Sequence, residues 1–194
     1  MNAIMRELVL QSVEKEAIHV DALPTLDLYI DQVITLIEQG YASNKRTPDE
    51  KLLTKMMVNN YSKAGLVRPI KGKKYSRAHI VQMLIIYALK STLSIGEIKQ
   101  VLDALYSVPD FDGTALFSCY ENALSLQERA ASELKTFFDA SEILEADNPS
   151  EYFASLMSVC AMSDALSELA GRMVSQYFAT PEQAKNEKNP NTHK

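Results

Sequence analysis

Asn59 to Ile80 reads NNYSKAGLVRPIKGKKYSRAHI, a stretch with six Lys and Arg and no acid. The acid-free run is longer still, from Lys51 to Gly96, and it holds nine Lys and Arg. The whole chain of 194 residues carries a formal net charge of −5, so the rest of it sums to −14. A basic segment kept inside an acidic chain predicts a local task for positive charge, because electrostatic steering follows the local field and not the net charge.

The spacing around this stretch predicts helices. Three starts share one design, an N-cap hydroxyl between two apolar residues that can staple together: Thr54 between Leu53 and Val58, Ser76 between Tyr75 and Ile80, Ser94 between Leu93 and Ile98. Glu97 completes a capping box with Ser94. The first helix runs from Thr54 to about Ala64, with Gly65 in the left-handed terminal position and Leu66 folding back on Tyr61. LVRPIKGKKYS then reads as a small hairpin, with β-like pieces around Val67 and Tyr75 and a Lys71-Gly72 turn. The next helix, about 77–91, is apolar almost all round and must be buried. The Ser94 helix turns Ile98, Val101, Leu102 and Leu105 inward.

Upstream, a helix over 26–39 shows Leu26, Ile30, Val33 and Ile37 on one face, with Thr25 as cap and Gly40 as stop. Residues 1–20 suggest a short amphipathic helix, and a polar loop turns at Pro48. Downstream of SVPDFDG, segments 114–140 and 150–179 read as two long helices forming a hairpin or bundle. Their aromatic and Met side chains read as core or dimer interface, and no effector is assigned to them. The polar tail is expected to be disordered. The fold class is therefore mainly α, with four regions: an N-terminal segment (1–24), a domain with a basic β-hairpin (25–106), a helical assembly domain (107–180) and the tail (181–194).

On a helical wheel, Met57, Val58, Tyr61 and Ala64 of the short helix fall on one side. Lys55, Asn59 and Lys63 form a stripe on the other, with Met56 and Asn60 beside it. An Asn amide can donate to and accept from adenine in the major groove, and lysines at the edges displace counterions from phosphate. The expected DNA contacts are Lys55, Asn59, Asn60 and Lys63 in the groove, with Thr54, Lys71, Lys73, Lys74 and Arg77 on phosphates. A carboxylate in such a face would be repelled by phosphate, which explains the missing acids.

The order VNNYSKAGLVRP, basic hairpin, YS, apolar helix, LSIGEIKQVL resembles the MerR regulators. The matching positions are Tyr61, Gly65, Leu66, Pro69, Tyr75, Ser76, Leu93, Ser94, Glu97 and Ile98, within about residues 52–105. The resemblance implies a winged helix-turn-helix, double-stranded DNA as partner and a homodimer. It departs at Asn59 and Asn60, where MerR proteins often carry Arg and Tyr, in a shorter wing, in an earlier first helix, and in two C-terminal helices instead of one. LDLYIDQVITLIEQG with TKMMVNNYSKAGL also resembles an uncharacterised bacterial family of domains of unknown function.

Enzyme equipment is missing. His19, His79 and His193 form no cluster at metal spacing, and there is no phosphate-binding Gly loop and no nucleophile motif. The expectation is a non-enzyme with no cofactor and no metal. Cys119 and Cys160 match no zinc or redox spacing and are expected to be buried thiols in a reducing compartment. No unbroken apolar run reaches ~18 residues, and the N-terminus has no signal-like core, so the chain is expected in the cytoplasm, off the membrane. A helical adaptor docking an acidic protein through its basic face is the alternative to DNA binding.

Overall fold

Ile80, Val81, Met83, Leu84 and Ile86 fall on every side of one helix, and all five are sealed from solvent in the computed structural model, which describes residues 1–179. In chain order the elements are α1 (Ala3–Val13), β1 (Leu28–Tyr29), α2 (Ile30–Gly40), α3 (Lys55–Lys63), β2 (Lys74–Tyr75), α4 (Arg77–Leu89), α5 (Ile95–Tyr106), α6 (Gly113–Ala140) and α7 (Pro149–Tyr177). The protein is mainly helical, and the one sheet among the described residues is the antiparallel pair β1–β2. The tail expected to be disordered lies outside the described residues.

A helix apolar on all sides must be covered on all sides, and α4 is the centre of the core. Its neighbours are amphipathic and each turns one stripe inward: Val33 and Ile37 from α2, Val58 and Tyr61 from α3, Ile98 and Leu102 from α5, and Leu116, Tyr120 and Leu124 from α6. Each of the three helix starts is closed by a side-chain hydrogen bond. The Thr54 hydroxyl accepts the Met57 N–H at 3.2 Å, and the Glu97 carboxylate accepts the Ser94 N–H at 2.7 Å. At Ser76 the partner three residues on is His79, whose Nδ1 accepts the Ser76 N–H at 3.1 Å. Both members of each flanking apolar pair are buried, as stapled helix starts require.

Three expectations need correction. The helix expected from Leu26 starts at Ile30; Leu26 is 77% exposed and Thr25 lies outside the helix, whose first turn is closed by Gln32 accepting the Tyr29 N–H at 2.9 Å. Residues 28–29 serve the sheet instead, with Leu28 opposite Tyr75 and Tyr29 opposite Lys74. This pairing replaces the hairpin expected within 67–75. Val67 is buried without being a strand, and the next N–H, of Arg68, is taken by the buried Gln82 carbonyl at 3.1 Å. Gly72, at φ +72°, still makes the expected turn. Lastly, Cys119 and Cys160 are both exposed.

The expected regions are not separate in packing. Ile18 and Leu23 from the N-terminal segment and Leu116, Tyr120 and Val174 from the C-terminal part belong to the same core as Ile37 and Ile80. α1 lies on α6, with Arg6–Asp139 and Glu14–Lys135 ion pairs at 3.5 and 3.1 Å. α6 and α7 do not pack side by side as the hairpin reading expects. α6 commits its inward face to α4 and α1, while α7 meets the body near Leu144 at one end and on α5 at the other. Only Ser155 and Val174 of α7 are buried. By length and composition α7 is also apolar enough to cross a membrane, which corrects the expectation that no segment is. Its Ser residues and three acids interrupt a residue-by-residue count but not the average.

Residues 18–20 are tied to α6 by a titratable link. His19 Nδ1 lies 2.8 Å from Glu121, whose other oxygen accepts the Val20 N–H at 2.6 Å. The Glu121 hydrogen bond raises the His19 pKa against the opposing effect of burial. For Glu121 burial pushes upward, but the Val20 N–H and His19 outweigh it and the pKa falls. A raised His stabilises below its ordinary ~6.5 and loses that contribution as pH rises through the folded value; a lowered Glu stabilises above its ordinary ~4.3 and loses it as pH falls. The link is therefore firmest between about pH 4.5 and 6.5. Hydrogen exchange, corrected for intrinsic rates, is expected to show Val20 better protected at about pH 6 than at about pH 8. His19→Ala is expected to remove the difference.

Candidate nucleic-acid interface

The short helix α3 is fixed at both ends by its own sequence. Thr54 caps its start, and the Gly65 and Leu66 N–H groups close its end on the carbonyls of Ser62 and Tyr61 at 3.1 and 2.9 Å. That pair of bonds needs a left-handed residue, and Gly65 sits at φ +75°. Val58 and Tyr61 enter the core and Met57 packs against it. Lys55, Met56, Asn59, Asn60 and Lys63 all face solvent. The amide-and-ammonium face expected from the wheel is the outward face of the helix.

The second basic element is the turn at Lys71–Lys74, whose three lysines are all exposed. Lys74 Nζ stands 5.2 Å over the ring of Tyr29, which is itself half exposed. The start of α2 joins the two elements. Tyr29 pairs with Lys74 in the sheet, and two residues further on Asp31 Oδ1 receives Lys55 Nζ at 2.7 Å. Lys55, Asp31, Tyr29 and Lys74 thus form one continuous edge, which places the outward face of α3 next to the basic turn.

Arg77 does not belong to this surface. Its Nη2 donates to the Leu23 carbonyl at 2.5 Å, and its Nε is buried with no partner among the described residues. It opens α4 where residues 20–23 fold across, so its guanidinium serves that crossing instead of a phosphate. Lys90 is also internal. It donates to the Leu52 carbonyl at 3.0 Å and lies 4.6 Å over Tyr87, and burial lowers its pKa. Arg68 stacks on Tyr106 at 3.8 Å. Thr54 is half-buried and its oxygen is engaged by the cap. The outward set is therefore Lys55, Asn59, Asn60, Lys63, Lys71, Lys73 and Lys74.

Two neighbours escaped the sequence reading, Tyr29 and Asp31. Both arrive through the two-residue strand pair, and strands this short show no alternation to read. Asp31 brings an acid to this edge. Its pair with Lys55 is well exposed on both sides, so it is worth under about 1 kcal/mol and a phosphate can displace it.

A family model described as a domain of unknown function matches residues 18–123. No curated protein and no solved structure matches the chain. The matched stretch takes in the strand pair, α3, the basic turn and α4, and ends inside α6; α7 lies beyond it.

Proposed function

The chain belongs to the DUF1836 family, and we propose that it is a sequence-specific, double-stranded DNA-binding transcriptional regulator that acts as a dimer. In this reading residues 25–106 form a MerR-like winged helix-turn-helix. α3 enters the major groove, and the Lys71–Lys74 turn is a wing on the adjoining backbone. The observation that carries it is the exposed Lys55, Asn59, Asn60, Lys63 face beside three exposed lysines of a tight turn. Asn59 and Asn60 supply paired donor and acceptor groups for a base edge, while the lysines supply attraction that any sequence receives. Tyr29, with Lys74 over its ring, adds a hydroxyl that can donate to phosphate.

Selection of bound sequences from a random duplex pool tests the reading. An inverted repeat is expected, with half-sites about 34 Å apart or a multiple of that. Asn59→Ala is expected to flatten the base preference at one position by ~1–3 kcal/mol, about 5- to 150-fold. Lys63→Ala is expected to weaken all sequences alike. A pool that stays random would contradict the proposal. An adaptor docking an acidic protein is the second reading, and Met56, 73% exposed on the same face, is what favours it. The same Met could meet a thymine methyl, so the selection decides between the two.

A further inference from the structure

A groove of about 460 Å³ opens between the end of α3 and the last turns of α5, within the ~300–1,000 Å³ of sites that hold small molecules. Leu66 and Leu102, both buried, line it together with Arg68, Asp103 and Tyr106. Gln82 of α4, only 1% exposed, fixes which way these groups point. The Arg68 backbone N–H can only donate, so the atom that receives it is the Gln82 carbonyl oxygen. The other end of the amide is then its NH2 group, which also only donates, and the Tyr106 oxygen accepts it. The Tyr106 hydrogen is left over, with no acceptor among the described residues. It stays on the oxygen, because burial raises the Tyr106 pKa against the lowering effects of the Gln82 bond and Arg68. The Arg68 side chain is spare too. Its guanidinium lies 3.8 Å over the Tyr106 ring, and among the described residues the ion pairs of arginine engage Arg6 and Arg172 instead. Lys99 Nζ reaches the same rim, 3.8 Å from where a side chain on Gly65 would begin, and is held by Asp103 at 2.5 Å. Arg68 and Lys99 against Asp103 leave one positive charge in excess.

We propose that this groove binds a compact oxyanion, a carboxylate or a phosphate, with Arg68 donating through its guanidinium and Tyr106 through its hydroxyl. A guanidinium presents parallel N–H groups that match two oxygens of such an anion. The ring beneath Arg68 already holds its plane, so little freedom is lost on binding. A cation would be repelled by Arg68, and a neutral apolar molecule would cover both donors without pairing them. Asp103 does not oppose the anion, because Lys99 neutralises it. Two sources carry this chemistry, a free small molecule and a phosphate of bound DNA, since Gly65 lies two residues beyond Lys63 of α3. The inference rests on α4, α5 and residues 65–68, whatever α3 binds.

Inorganic phosphate, added to the full chain in exchange for chloride at constant ionic strength, tests it by NMR. The backbone amides of Gly65 and Ser107 and the Arg68 Nε–H are expected to shift and to saturate in the millimolar range. Arg68→Gln, at an exposed side chain, is expected to raise the dissociation constant read from the two amides at least ~10-fold, with helical circular dichroism retained. Tyr106→Phe keeps the ring and is expected to raise it at least ~5-fold. Arg46→Gln, at an exposed Arg outside the groove, is expected to leave it unchanged. A duplex salt series on Arg68→Gln separates the sources. A slope smaller by about 1 assigns the oxyanion to DNA, whereas an unchanged slope, or no duplex binding by the wild type, assigns it to a free small molecule. Shifts no larger with phosphate than with chloride overturn the inference, as does saturation that either Arg68→Gln or Tyr106→Phe leaves unchanged.

Discussion

The triple variant Lys71→Ala, Lys73→Ala, Lys74→Ala is expected to bind duplex DNA about 10²–10³-fold more weakly at ~0.1 M salt, with the log–log salt slope smaller by about 3. Each lysine on a phosphate releases close to one counterion, which at that salt is worth roughly eightfold in affinity. Among the described residues the ion pairs engage Lys45, Lys55, Lys99 and Lys135, and none of these three. They are held open, and Gly72 at φ +72° holds the turn that carries them. Lys55 differs because Asp31 must first give it up, so its own removal should cost less. Thermal stability should hardly change, as surface substitutions of this kind fall within about 0.5 kcal/mol. Fluorescence anisotropy over a salt series reads both quantities. A slope equal to that of the wild type would take the turn off the phosphates.

Ile80→Ala is expected to cost about 2–5 kcal/mol of folding stability, a large share of the ~5–15 kcal/mol a domain has. Ile80 is fully buried, and α4 is surrounded on all sides, so little can collapse into the space left. The residue also follows the cap of α4, whose flanking partner Tyr75 lies in β2 next to Lys74. Loss of its side chain should loosen the base of the basic turn as well as the core. Chemical denaturation measures the first effect, with the exposed Leu26→Ala as reference. A loss below about 1 kcal/mol would mean that α4 is not the centre of the fold.

What the sequence revealed and what it hid follow from range. The caps at Thr54, Ser76 and Ser94, the Gly65 stop and the outward Asn59 stripe are set within a few residues, and each is where the local signals place it. What failed was non-local. The partner of β2 is 46 residues upstream of it, and two-residue strands leave no alternation to find. Arg77 looks like one more basic residue until the carbonyl of Leu23 arrives from 54 positions away. Asp31 reads as a first-turn acid of α2, and only the sheet brings it to Lys55. The hairpin of α6 and α7 was expected because two apolar helices in succession usually pack together, yet α6 already has α1 and α4. Helix content was therefore legible in patterning, whereas neighbours were not.

The central claim is that the outward side of α3 and the Lys71–Lys74 turn together meet duplex DNA. Backbone amide NMR of the full chain, titrated with a duplex at low salt, tests it most directly. Resonances of residues 55–63 and 71–74 are expected to shift together, those of α7 to stay in place, and all shifts to reverse as salt is raised toward ~0.2 M. No shift at low salt, or shifts centred on α7 with α3 untouched, would contradict it.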